Sequence, residues 1–320
     1  MWGMQLPDSH ESRKSAREFV ASRYLVRFHL ESVQEENSGY SGCMSQTYPS
    51  DLTDAQWEII RPLVPPDRSG GRPRQVNIRR VVDGILYINR TGCQWRMLPH
   101  DFPKWKLVSY YFYTWRDAKI WNKIHDALLV PTRRKAGRAH DTPSAGSLDS
   151  STAKAPEGAD RGFDGGKRVK GRKRHKAVDT LGLLLALVVT GAGVDDAKAV
   201  PAVFRQRPPD KYPRLEKLWA DSKYHNHDLN NWLANTYAGR IEIEVTRRTD
   251  DDPGFKPIKW RWVVERTNGW VKRARRNAMD YEHTTSSSEA MVRISMIKIM
   301  LNRLTDEKPE FPFRYHKIAA

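Results

Sequence analysis

The stretch HKAVDTLGLLLALVVTGAG, His175 to Gly193, sets two apolar runs rich in β-branched residues on either side of Asp179-Thr180-Leu181-Gly182. Such runs around a turn-forming tetrad read as a β-hairpin. Three more extended segments accompany it: Leu148 to Thr152, a run closing at Asp221, and the alternating RIEIEVT from Arg240 to Thr246. The pattern predicts an α/β chain, five strands in a mixed sheet with helices between and after them. No long insertion separates Thr246 from Glu265, so a compact core is expected.

Two of these segments carry acids. Asp149 lies in SLDSSTAK, after the polar stretch TRRKAGRAHDTPSAG, and Asp221 closes LEKLWADSKY. A third acid, Glu265, lies in IKWRWVVERTNGWVK between Arg261 and Lys272. In a helix these three fall within about 40° of one another, opposite Val263, Thr267, Trp270 and Ala274. The plainer reading of that face is a solvated Arg/Glu pair at i,i+4 spacing. Carboxylates suit Mg²⁺, which takes hard oxygen ligands and keeps several waters. Three converging acids can hold two such ions, Mn²⁺ substituting, for an in-line displacement at phosphorus.

Three blocks in order carry a family resemblance: Gly162 to Asp196 (GFDGGKRVKGRKRHKAVDTLGLLLALVVTGAGVDD), Trp219 to Tyr224 (WADSKY) and Arg261 to Arg276 (RWVVERTNGWVKRARR). Over roughly Leu52 to Leu304 the chain resembles the DDE transposases of bacterial insertion sequences, in the insertion sequence five group. The resemblance implies a ribonuclease H-like sheet, with the first acid on the central strand, the second on a neighbour and the third on a following helix. It implies Asp149, Asp221 and Glu265 as catalytic triad and metal ligands, with Arg261 and Lys272 as basic members of the signature. Neighbouring families place Tyr three residues before that Arg, where this chain has Ile258. The implied reaction is hydrolysis of a phosphodiester at the element end, then attack of the freed 3′-hydroxyl on target DNA. Two rival readings are a domesticated DNA-binding protein without activity and a nuclease of the same fold.

Lys plus Arg number 55 against 38 Asp plus Glu, a formal charge of +17, which suits a polyanion such as double-stranded DNA. The cations cluster: KRVKGRKRHK, Lys167 to Lys176, holds seven Lys or Arg and one His, and KRARR follows Glu265. Lys167, Lys170, Arg172, Lys173, Arg174, Lys272 and Arg273 are therefore expected to meet phosphate. Nearer the amino terminus, Asp51 or Thr53 can cap DAQWEIIRPLV, with Pro65-Pro66 as its stop. DRSGGRPRQVNIRRVVDGILYINRTGC then resembles a helix-turn-helix element with Arg72, Arg74, Arg79 and Arg80 at its entrance. The aromatic run that follows, with Trp105, Tyr111, Phe112, Trp115 and Trp121, reads as core rather than as base-stacking groups. The resemblance implies that residues 45–130 bind terminal inverted repeats, and joining two element ends implies self-association on DNA.

At 320 residues the chain allows two domains. The expected organisation is an extension over 1–44, a helical DNA-binding domain over 45–130, a linker over 131–146, a catalytic domain over 147–305 and an irregular tail over 306–320. The extension precedes Met44, either as a flexible arm or as an upstream start. Cys43 and Cys93, without metal-ligand spacing, suit a reducing cytoplasm, here nucleoid-associated. No run approaches a membrane span, LGLLLALVV being the longest candidate. His225 and His227 read as turn residues, Asp250 to Asp252 as a solvated loop, Asp195 and Asp196 as a helix cap, and Ser150 and Ser151 lack a His partner for nucleophilic catalysis.

Overall fold

A computed structural model describes residues 48–67, 74–206, 211–245 and 260–306. Arg72, the 1–44 extension, Asp250 to Asp252, Ile258 and nearly all of the expected tail lie outside the described residues.

Among the described residues, four helices come first: α1 (Asp54–Ile60), α2 (Ile78–Thr91), α3 (Trp105–Asp117) and α4 (Ile120–Lys135). Thr53 caps α1, its hydroxyl accepting from the Gln56 amide at 3.2 Å. Asn77 caps α2 through the Arg79 amide at 3.0 Å, and Gly92, in the left-handed region at φ 75°, ends it. The aromatic run behaves as core: Phe112, Trp115 and Trp121 are buried, and Trp105 and Tyr111 pack against them.

The expected linker at 131–146 begins too early, because α4 continues through Pro131 to Lys135. Proline forfeits a backbone hydrogen bond inside a helix. Here Thr132 and Arg133 are buried beyond it, and Arg133 donates to Asp179 at the hairpin turn, so tertiary anchoring outweighs the local penalty.

Among the described residues, six strands form one sheet: β1 (Ala145–Lys154), β2 (Gly162–Asp164), β3 (Val169–Asp179), β4 (Leu184–Gly191), β5 (Lys217–Ala220) and β6 (Glu242–Val245). The β3–β4 hairpin is as expected. β1 is central, antiparallel to β3 and parallel to β5, which pairs in parallel with β6. The unexpected β2 pairs with the start of β3, beyond the stretch paired with β4. Asp164 fastens it by accepting from the Thr152 hydroxyl on β1 at 2.6 Å.

The remaining helices are α5 (Asp196–Gln206), α6 (His227–Tyr237), α7 (Arg261–Lys272), the short α8 (Arg275–Ala278) and α9 (Thr285–Leu304). α9 is buried almost all round, as a helix enclosed on every side must be. Its Ala290, Met291, Ile294, Ile297, Met300 and Leu301 share one core with Val81, Ile85, Phe112 and Leu128 of the amino-terminal helices. Its Val292 and Met296 pack with Val178, Leu187 and Val263 under the sheet. A helix from the second stretch thus completes the core of the first, so the described residues of the two expected domains share one core. No helix among the described residues is long and apolar enough to cross a membrane.

Removing a buried side chain from α9 should loosen both layers together. Ile294→Ala is expected to cost about 2–5 kcal/mol. Followed by circular dichroism and tryptophan fluorescence, it should leave a single, coincident thermal transition; two separated transitions would show independent domains.

Candidate active site

β1 places Asp149 mid-strand, partly buried, and the β1–β3 register sets it opposite Lys176. β1 and β5 run parallel, and their last pair is Ser147 with Trp219. Two residues further along each strand's path stand Asp149 and Asp221, so parallel register brings these acids level, Asp149 within β1 and Asp221 just after β5. The 3.6-residue periodicity of α7 buries Val263, Val264, Thr267 and Val271 and leaves Glu265 outward.

Asn268, one turn beyond Glu265, reaches back to the sheet. Its Nδ2 donates to Asp149 Oδ2 at 2.9 Å. Its Oδ1 accepts from Lys176 Nζ, which also donates to Ser151 Oγ at 2.7 Å. Burial pushes the Asp149 carboxyl up; Lys176 and Asn268 pull it down, and the charge of Asp221 pushes it up again. Burial also pulls the Lys176 ammonium down to about 7, against the attraction of Asp149. Asp221 accepts from the Lys223 amide at 3.0 Å and so caps a short turn after β5. Buried Tyr224 in that turn is raised well above the ordinary phenol range, by burial first and then by Asp149, Asp196 and Asp221.

Glu265 is exposed on the outer side of α7. Its side chain is 54% exposed and pairs with Arg261 at 3.9 Å, the plain i,i+4 arrangement. Among the described residues, no three His, Cys, Asp or Glu side chains gather closely enough to hold a metal. The acids do suit a hard divalent cation in kind, since they offer carboxylate oxygens. Repulsion between Asp149 and Asp221 is also an electrostatic demand that a cation would relieve.

The helix carrying Glu265 is docked by the hairpin turn. Thr267 Oγ1 donates to the Gly182 carbonyl at 2.9 Å, and Arg266 to that of Leu181 at 3.2 Å. Arg266 lies between Trp262 and Trp270, 4.3 and 4.6 Å from their ring centres. Gly182 takes φ 79°, and a Cβ there would fall 2.7 Å from the Thr267 hydroxyl and 2.8 Å from the Trp270 ring. Only glycine allows both the turn and the contact.

The basic cluster on β3 is corrected by burial. Arg172 is 0% exposed and bonds Asp280 at 3.0 Å, the Glu282 carbonyl at 2.7 Å and the Asp160 carbonyl at 2.7 Å. Arg174 donates to the Asn277 carbonyl at 2.7 Å, and Lys173 pairs with Asp196 at 3.1 Å. These three are therefore not available to phosphate. Asp195 caps α5 through the Ala197 amide at 2.9 Å, which frees the neighbouring Asp196 for Lys173. At the entrance of α2, Arg74 pairs with Asp67, Arg79 with Asp54 and Arg80 with Asp51. These arginines are partly exposed and hold the helical layer together. Lys167, Lys170, Lys272 and Arg273 are exposed, and Arg261 is partly so.

Sequence reasoning did not single out Lys176 or Asn268 as site residues. Asn268 lies three residues after Glu265 on a helix, a signal that could have marked it. Lys176 sits within a basic run, and only its cross-strand position sets it apart.

Comparison with known proteins agrees with the architecture. Residues 140–301 match the family described as "Transposase DDE domain", and residues 52–125 match one described as "Putative transposase of IS4/5 family". The first match covers half of the chain, which belongs to the transposase DDE-domain family. The "Putative transposase for insertion sequence element IS402" of Burkholderia cepacia is 29% identical over 140 residues, covering 42% of this chain and 64% of that protein. The "Insertion element IS402 uncharacterized 16.2 kDa protein" of the same organism is 32% identical over 89 residues, 26% of this chain and 60% of the relative. The "Uncharacterized protein y4sN" of Sinorhizobium fredii is 34% identical over 85 residues, 27% and 65% of the two chains. The chain thus spans 60% to 65% of the length of these relatives.

Gly182→Ala should lower stability by more than about 1 kcal/mol, measured by urea unfolding, because it strains a positive φ and pushes against α7. An unchanged midpoint would remove the argument that the turn docks this helix. Acid should destabilise the fold through His175, which burial pulls down to about 4. Its imidazole is neutral when folded, so the contribution is complete above pH ~6.5 and is lost as pH falls toward 4, by up to about 3 kcal/mol. His175→Asn should flatten the stability profile between pH 4 and 6.5; a profile as steep as wild type would assign the loss to other groups.

Proposed function

We propose that this chain is a DNA transposase, which binds the terminal inverted repeats of an insertion sequence, cleaves at the element end and transfers the strand into target DNA. The observation that carries the reading is the placement of Asp149 and Asp221 level with each other on the paths of paired parallel strands, with the Glu265 helix tied to Asp149 by Asn268. Asp149, Asp221 and Glu265 would hold divalent metal, Mg²⁺ by preference for hard oxygen. When bound, such ions supply charge stabilisation and water activation for in-line displacement at phosphorus.

The residues themselves do the rest. Asp149 and Asp221 present fixed carboxylates, and Arg261 orients Glu265 along α7. Lys167, Lys170, Lys272 and Arg273 offer exposed cations to the DNA backbone, each phosphate contact adding about 0.9 to the salt-dependence slope. The helical layer over 45–130 serves repeat binding, and two copies meet when two ends are joined. The exposed ion pair of Glu265 with Arg261 favours a second reading, a DNA-binding protein without strand chemistry.

Strand cleavage of a labelled duplex carrying the flanking element end separates the two. Wild type should nick at the end with Mg²⁺ and not with EDTA. Glu265→Gln and Asp221→Ala should lose cleavage by several orders of magnitude while binding the duplex within about twofold. Binding without cleavage by wild type would establish the second reading.

A further inference from the structure

Lys176 is 2% exposed, yet it is a lysine within the sheet. Buried ammonium groups are costly unless partnered. Here one donor goes to Ser151 on β1 at 2.7 Å and another to Asn268 on α7. The β1–β3 register sets the charge opposite Asp149, and Asn268 closes the circuit by donating to Asp149 at 2.9 Å. The amide of Asn268 therefore lies between a cation and an anion, its oxygen toward Lys176 and its nitrogen toward Asp149. Only that orientation serves both, because an ammonium solely donates and a carboxylate solely accepts.

We propose that Lys176 is a positioning residue with two effects: through Asn268 it holds the Glu265 helix against the Asp149 strand, and its fixed charge sets how strongly Asp149 takes up a divalent cation. This rests on the reading of Asp149 as a metal ligand. The charges that bear on Lys176 are Asp149, which attracts it, and Arg174, Lys272 and Lys167, which repel it. A resident cation beside Asp149 competes with an incoming one, so the protein gives up some metal affinity for a defined placement of α7. Loss of Lys176 and loss of Asn268 then act in opposite directions on metal binding. Without Lys176 a competing charge is gone. Without Asn268 the ammonium keeps Ser151 and turns its released donor to Asp149, so it competes more strongly. A role limited to folding would weaken metal binding in both.

The test is Mn²⁺ affinity of the full chain by calorimetry, beside thermal melting and single-turnover cleavage at saturating Mn²⁺. Lys176→Met should bind Mn²⁺ about tenfold more tightly, the scale expected when one unit charge near a divalent ion is removed. Asn268→Ala should bind it severalfold more weakly with a cooperative melt. Both should cleave about a hundredfold more slowly, since small displacements of a reacting constellation have that effect. Weaker or unchanged binding in a folded Lys176→Met overturns the proposal. Should that variant fail to melt cooperatively, Lys176→Gln, which removes the charge and keeps a donor for Ser151 and Asn268, takes its place, and weaker or unchanged binding there overturns the proposal. A wild type that takes up no Mn²⁺ and cleaves nothing would instead remove the metal-site reading, and the proposal with it.

Discussion

Strand β3 carries four cations into the interior, and the rest of the molecule is arranged to meet them. Arg172 and Arg174 converge on Asp280 in the segment before α9, Lys173 on Asp196 at the start of α5, and Lys176 on Ser151 and Asn268. At the strand's end, buried Asp179 receives Arg133 from α4. A buried charge without a partner costs several kcal/mol, so each pairing fixes the element that supplies the partner. β3 thereby orients the helices on both sides of the sheet, including the one that carries Glu265.

Two kinds of interaction join in placing that helix. Apolar packing of Val263, Val264 and Val271 under the sheet sets its general position. The directional bonds from Thr267 and Arg266 to the hairpin turn, and from Asn268 to Asp149, then fix its rotation and height. Apolar contact alone tolerates sliding, whereas hydrogen bonds with defined angles do not. On the proposed reading, the distance between Glu265 and the two aspartates is a property of this docking.

The shared core changes the meaning of the amino-terminal helices. α9 buries one side in the helical layer and the other beneath β4, so a displacement of either layer is felt in both. If the helical layer engages DNA as proposed, that engagement is mechanically continuous with the sheet. Within that layer Arg74, Arg79 and Arg80 pair with Asp67, Asp54 and Asp51.

Much of this was legible from the chain because it depends on local periodicity. The hairpin at Asp179 to Gly182, the buried stripe of α7 and the strand around Asp149 all follow from residues within one or two turns of each other. The fate of the cations did not, since Arg172 finds Asp280 more than a hundred residues away and a charged run reads equally well as a surface. Nor did the division into domains, because α9 looks like part of the stretch it follows. By itself the sequence determined the β3–β4 hairpin, the strand of Asp149, the stretch leading to Asp221 and the helix of Glu265, through propensity and pattern, though not the short β2. Tertiary structure decided which cations are spared for solvent, where α9 belongs and how Lys176 and Asn268 frame Asp149, because burial makes long-range pairing obligatory and no local pattern records the partner.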